Sequence, residues 1–328
     1  MNYRTFGHLN ADIKRWRRDL PGDIDLVVGI PRSGLMASNL LALHLDRPLT
    51  TLEGFGRGYT IQTGRRHESD VDRSSVSSVL VVDDSVNTGA TMTRAKREID
   101  RCSRGVDVTY GAVYTSHEGK DYVDTYSQVL PTPRVFEWNV MHHPGLSNWC
   151  VDLDGVLCRD PTTRENDDGE RYREFVRSVE PNVVPSKEIG YIVTARLEKY
   201  RDLTETWLST HGIEYGELIM MDYPDKQTRQ SMGNHARYKA NVYEQTDADL
   251  FIESEEGQAT AIADIAHGPV FCYGMNYMVR EGCSKRVSRR ATRSAKTLAS
   301  NPARYAREFV NDPTRFAAKV VNQIFRTG

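Results

Sequence analysis

Short apolar runs recur along the chain, and most are followed by a stretch with helical periodicity. "DLVVGI" (25–30), "VLVV" (79–82) and "VDVTYGAVY" (106–114) read as strands, and "ADIKRWRRDL" (11–20), "PRSGLMASNLLALHL" (31–45) and "TMTRAKREIDRC" (91–102) as helices with their entry turns. Between them, residues 53–78 are polar and rich in Gly, Arg and Ser, and read as a long, partly mobile loop. The alternation begins again further on. "WCVDLDGVL" (149–157), "GYIVTAR" (190–196), "YGELIMM" (215–221), "ADLFIES" (248–254) and "GPVFCYG" (268–274) read as strands. "EKYRDLTETWLSTHGI" (198–213) and "HARYKANVYEQT" (235–246) read as helices. Strand–helix alternation of this kind predicts an α/β protein with two Rossmann-like parallel-sheet domains. The prolines at 131, 133 and 144 mark the boundary near 140–148, giving domains at 1–145 and 146–280 and a basic helical tail at 281–328.

The charge pattern modifies this picture at one end. The formal net charge is −2, but residues 280–328 carry twelve Lys/Arg against three Asp/Glu, about +9, so the rest is about −11. Such a tail suits an anionic lipid surface or the packing of a homodimer. No aromatic–basic recognition module accompanies it, so nucleic acid is not an expected partner. Five cysteines with no CxxC argue against a disulfide scaffold and a zinc site. With no apolar leader or spanning run, a cytoplasmic protein is expected, with peripheral contact at the inner membrane face open to it.

Two of the strands end in carboxylates. In "VLVVDDSVNTGAT" (79–91) the apolar run stops at Asp83 and Asp84, which cannot both face a core on an alternating strand. Carboxylates suit hydroxyl groups, and the following Ser85, Asn87, Thr88, Gly89, Ala90 and Thr91 offer backbone N–H groups and hydroxyls to a phosphate at a helix start. The specification is a phosphorylated polyol. The stretch resembles the fingerprint of the type I phosphoribosyltransferases, and "VVGIPRSG" (27–34), with Arg32, Ser33 and Gly34, resembles their diphosphate loop. The resemblance covers roughly residues 20–125. It implies phosphoribosyl diphosphate as donor with Mg²⁺, Asp83 and Asp84 on the ribose hydroxyls, and an arginine of the loop (Arg57, Arg65 or Arg66) closing over the donor.

In "DLDG" (152–155), Asp152 and Asp154 share one side of the chain. One carboxylate can attack phosphorus while the other protonates the leaving oxygen. The stretch resembles the first motif of the haloacid dehalogenase-type phosphatases with a minimal cap. That resemblance implies Asp152 as nucleophile, Asp154 as acid and base, and Thr194 of "YIVTAR" on the phosphoryl group. It also implies a lysine cation, for which Lys239 is preferred over Lys226, and Mg²⁺ held by Asp152, Asp154 and Glu253. Ser254 stands where a second acid is usual, leaving Glu255 or Glu256 to substitute. His142 and His143 read as structural, and Trp149 as packing.

The two sites suit one sequence of reactions: transfer of a 5-phosphoribosyl group, then removal of its phosphate. That domain order resembles bifunctional ribofuranosyltransferases of bacterial surface polysaccharide (O-antigen or capsule) synthesis, which implies a glycan acceptor on a lipid carrier. A nucleobase phosphoribosyltransferase fused to a nucleotide phosphatase is the alternative. A non-catalytic sensor of phosphoribosyl diphosphate is a third reading, although this chain retains both Asp152 and the basic loop.

Overall fold

The computed structural model describes residues 1–61, 75–103, 105–233 and 235–279, so Arg65, Arg66 and the basic tail lie outside the described residues. The chain divides into two compact units, Met1–Val140 and Met141–Gly328.

In the first unit the strands are β1 (Asn2–Arg4), β2 (Leu26–Gly29), β3 (Leu49–Thr51), β4 (Ser78–Val86), β5 (Asp107–Thr115), β6 (Thr125–Val129) and β7 (Arg134–Phe136). Its helices are α1 (Phe6–Trp16), α2 (Ser33–Leu45), α3 (Leu52–Arg57) and α4 (Ala90–Asp100). Five strands form a parallel sheet in the order β3-β2-β4-β5-β6, and β1 pairs with β7 beside it. The side-chain period of two explains why β4 is apolar without interruption. Leu80 and Val82 pack with Leu9, Ile13, Ala37 and Leu41 of α1 and α2, whereas Val79 and Val81 pack with Met92, Ala95 and Ile99 of α4. Three elements depart from the sequence reading. Helix α1 starts at Phe6, because Thr5 and His8 form a reciprocal cap. The polar segment after Thr51 opens with α3, whose N-cap is the Thr51 hydroxyl. Strand β4 continues through both aspartates to Val86, paired with β5 as far as Thr115.

The second unit contains β8 (Trp149–Val151), β9 (Ile189–Leu197), β10 (Tyr215–Met221), β11 (Leu250–Glu253), β12 (Val270–Cys272) and β13 (Tyr277–Val279). Its helices are α5 (Glu170–Ser178), α6 (Arg201–Thr210), α7 (Lys226–Met232), α8 (His235–Gln245) and α9 (Glu256–Ala266). The sheet order is β10-β9-β8-β11-β12-β13, parallel except for the β12–β13 pair. Helix α5 lies in a stretch that reads as polar loop. It forms because Tyr172, Phe175 and Val176 make one buried face among charged neighbours.

Both sheets reverse their winding once. The reversal falls between β2 and β4 in the first and between β8 and β11 in the second. At such points the loops leaving adjacent strands diverge and open a crevice at the carboxyl ends. Asp83, Asp84 and the 30–34 turn lie at the first crevice, and Asp152 and Glu253 at the second.

Candidate active sites

In the first unit both aspartates are buried, Asp83 at 7% and Asp84 at 5% exposure. Alternation puts the two side chains on opposite faces of β4, and both faces are covered here. Ser33 donates to Asp84 Oδ1 at 2.8 Å and the indole Nε1 of Trp138 donates to Asp84 Oδ2 at 2.9 Å. Asp83 Oδ1 accepts the Asp84 backbone N–H, and Gly34 lies so close that a Cβ there would be 2.6 Å from the same oxygen. Burial, then the adjacent charge of Asp84, pushes the Asp83 carboxyl up to about 8. Arg134, buried on β7, is drawn electrostatically to Asp84 and Asp83, which oppose the lowering that its own burial causes.

The segment expected to hold a phosphate begins within the last residues of β4 and runs into α4. Ser85 is half-buried, while Asn87, Thr88, Ala90 and Thr91 are exposed. Gly89, at φ +76°, is the N-cap of α4 and packs against the Tyr122 ring where a side chain would collide. No side chain caps α4, so its first N–H groups point out of the helix end unsatisfied by a cap. The Asn87 carbonyl is tied to the Ser116 hydroxyl at 2.7 Å, which fixes the turn. Arg32 is exposed at the start of α2 and is joined to Pro31 by a cis peptide bond. Arg57 pairs with Glu53 at 2.7 Å on the surface of α3.

In the second unit Asp152, Asp154, Thr194 and Lys239 line one cavity of about 230 Å³. The Lys239 ammonium is 2.8 Å from Asp152 and 2.6 Å from Glu253. Burial would lower that ammonium, but the two carboxylates outweigh it and hold it above its ordinary value. Asp152 is raised by burial, opposed by Lys239 and reinforced by Glu253. The rival Lys226 bonds to the Asn166 carbonyl, and its backbone N–H bonds to Asp168, so it pins the loop before α5. Asp154 sits in the fork of Arg196, with Nη2 at 2.6 Å and Nε at 3.1 and 3.2 Å from its oxygens. Gly155, at φ +85°, makes the turn away from Asp154, with Ser254 Oγ 2.2 Å from where a Cβ would stand.

The expected metal ligands are not alike in their surroundings. Asp152 and Asp154 face the cavity with hard oxygen donors suited to Mg²⁺. Glu253 is fully buried, with one oxygen accepting from the Lys239 ammonium and the other from the backbone N–H groups of Ser254 and Glu255. Among the described residues no three His, Cys, Asp or Glu side chains are arranged as a metal cage. Glu255 lines the cavity but caps α9, and Glu256 accepts from the Tyr277 hydroxyl. His142 contacts Ser186, and His143 stacks on buried Trp149 at 4.9 Å.

The sequence reading missed Trp138, Arg134 and Arg196. Arg196 had a visible signal, since it stands two residues after Thr194 on β9 and so shares its side. Trp138 had none, being 54 positions from Asp84.

Comparison with known proteins places the first unit. The phosphoribosyl transferase domain family matches residues 5–143, so this part of the chain is a phosphoribosyltransferase-type domain. No curated protein matches. The xanthine-guanine-hypoxanthine phosphoribosyltransferase of Helicobacter pylori aligns at 15% identity and TM-score 0.33, over 42% of this chain and 94% of that one. The purine phosphoribosyltransferase of Pyrococcus horikoshii aligns at 20% identity and TM-score 0.32, over the same 42% and 94%.

Proposed function

We propose that the chain carries out two consecutive reactions: phosphoribosyl transfer from phosphoribosyl diphosphate in the first unit, then hydrolysis of the resulting 5-phosphate in the second. The observation that carries the second half is the cavity in which Asp152, Asp154, Thr194 and Lys239 meet. It occurs in a chain whose other half matches the phosphoribosyl transferase domain.

In the transfer, the bond from ribose C1 to diphosphate breaks and a bond from C1 to the acceptor forms, with the acceptor losing a proton. Asp83 and Asp84 hold the ribose hydroxyls, and the turn at 87–91 holds the 5-phosphate. Arg32 stabilises the departing diphosphate. In the hydrolysis, an Asp152 oxygen attacks phosphorus and the ester oxygen leaves with a proton from Asp154. Water then attacks the aspartyl-phosphate, returning its proton to Asp154 and releasing orthophosphate. Lys239 balances the nucleophile, Thr194 donates to the phosphoryl oxygens, and Arg196 orients Asp154. Mg²⁺, when bound, would supply charge neutralisation at each site, held by Asp152 and Asp154 in the second.

The acceptor reading that the geometry favours is a flat ring. Trp138, bonded to Asp84, stacks on Phe136 at 4.9 Å and contacts Phe6 at 5.5 Å, and Phe6 is 45% exposed. A nucleobase fits such a surface and the final product would be a nucleoside. The lipid-linked glycan is the second reading, supported by the domain order, with the basic tail as its membrane contact. The test is to supply the full chain with phosphoribosyl diphosphate, Mg²⁺ and either free bases or a defined glycan, and to measure diphosphate and orthophosphate. Asp152→Asn should leave diphosphate release intact and accumulate a phosphoribosylated product, whose mass identifies the acceptor. Loss of both releases in that variant would refute the two-step reading.

A further inference from the structure

The second cavity contains one cation that the reaction above does not use. Arg229 lies on α7 and its Nη1 donates to the Ala195 carbonyl at 2.7 Å, next to Thr194. Its Nε is buried and has no hydrogen-bond partner, and the residue lines the same cavity as Asp152 and Asp154. The helix that carries it is held in place: Asp168 accepts from the Lys226 backbone N–H at 2.9 Å and from the Tyr200 hydroxyl at 2.8 Å. The other cations here are already matched. Lys239 serves Asp152 and Glu253, and Arg196 serves Asp154. Among the described residues, Arg229 is the lining cation without a carboxylate partner.

A phosphomonoester brings two negative charges into a cavity that already presents Asp152, Asp154, Asp160 and Glu255. Lys239 cannot balance it alone, because its charge is taken by two buried carboxylates. His235 also lines the cavity, but its imidazole is pushed down by burial and by the charges of Arg229 and Lys239, so it adds no fixed charge. We infer that Arg229 is a second ligand of the substrate's phosphoryl group, donating through Nε beside the Thr194 hydroxyl and selecting dianionic monoesters. This inference rests on the phosphatase reading of the cavity. It assigns Arg229 to the phosphoryl group itself and not to whatever the phosphate is attached to.

The test uses the full chain with two unrelated monoesters, ribose 5-phosphate and p-nitrophenyl phosphate, and with inorganic phosphate as competitive inhibitor. Loss of a charged hydrogen bond predicts that Arg229→Gln raises KM for both substrates and the inhibition constant of phosphate by about tenfold or more. Arg229→Lys, which keeps the charge and stem, should fall between. It also decides the matter if the Gln variant does not fold, since wild-type phosphate inhibition in Arg229→Lys would overturn the inference. So would an effect confined to ribose 5-phosphate, which would place Arg229 on the leaving group, or KM and inhibition constants in Arg229→Gln within twofold of wild type. Failure of the wild-type chain to hydrolyse either ester would instead overturn the phosphatase reading on which the inference rests.

Discussion

Replacing Asp83 by Asn should stabilise the first unit at alkaline pH while abolishing use of the donor. Asp83 is 7% exposed, and its carboxyl is raised from 3.8 to about 8, chiefly by burial and then by Asp84. Between those values the native chain holds a proton that the unfolded chain has released. Stability through this group is therefore greatest below 3.8, falls as pH rises, and is lowest above about 8. The full span corresponds to a cost on the order of 5 kcal/mol, at about 1.36 kcal/mol per pH unit. From pH 6 to pH 9, only the part below 8 counts, which is about 2–3 kcal/mol. Asn keeps the oxygen that accepts the Asp84 N–H at 2.9 Å, so the local geometry survives while the ionisation is gone. Hydrogen exchange of β4 and β5 peptides in the full chain, corrected for intrinsic rates, reads the opening free energy. Wild type should lose about 2–3 kcal/mol between pH 6 and pH 9 and the Asn variant less than about 1. Equal slopes in the two proteins, or greater wild-type protection at pH 9, would refute the assignment of a buried, proton-holding Asp83.

Three further outcomes follow from the same geometry. Lys239→Met leaves Asp152 and Glu253 buried without their cation, and should cost the second unit about 3–5 kcal/mol at neutral pH. That loss should shrink as acid protonates the carboxylates, which denaturant titrations at pH 5 and pH 8 would show; a loss independent of pH would contradict it. Gly34→Ala puts a Cβ 3.0 Å from the Asp83 backbone Cα as well as 2.6 Å from its carboxylate. Diphosphate release should fall at least about tenfold, from a strain on the order of 1–3 kcal/mol, while hydrolysis of p-nitrophenyl phosphate is unchanged. Trp138→Phe removes the indole donor from Asp84 but keeps the stack on Phe136, and should raise the KM for phosphoribosyl diphosphate several-fold. An unchanged KM would show that Ser33 alone orients that carboxylate.

What could be read from the residues was whatever depends on neighbours in the chain. Uninterrupted apolar runs such as Val79–Val82 require burial on both faces, so they announce a parallel sheet covered by helices. Carboxylates that end such a run, followed by "NTGAT" or by "DG", mark the strand ends where a ligand crevice opens, because the backbone turns there whatever lies across the sheet. The register between distant segments carried no such local mark. That Trp138 reaches Asp84, that the charge of Arg134 is felt by both aspartates, and that Lys239 bonds both Asp152 and Glu253 depend on which strands lie side by side. Alternation alone put the two aspartates on opposite faces of their strand. The folded chain buries both, because residues from the start of α2 and from Trp138 close over the strand end, and the raised carboxyl of Asp83 is the electrostatic consequence. In the same way the phosphatase resemblance names Glu253 without showing that a lysine fourteen residues earlier on α8 donates to it. Local chemistry nominated the groups; only the packing of separated segments decided which are charged, which are paired, and which face the cavity.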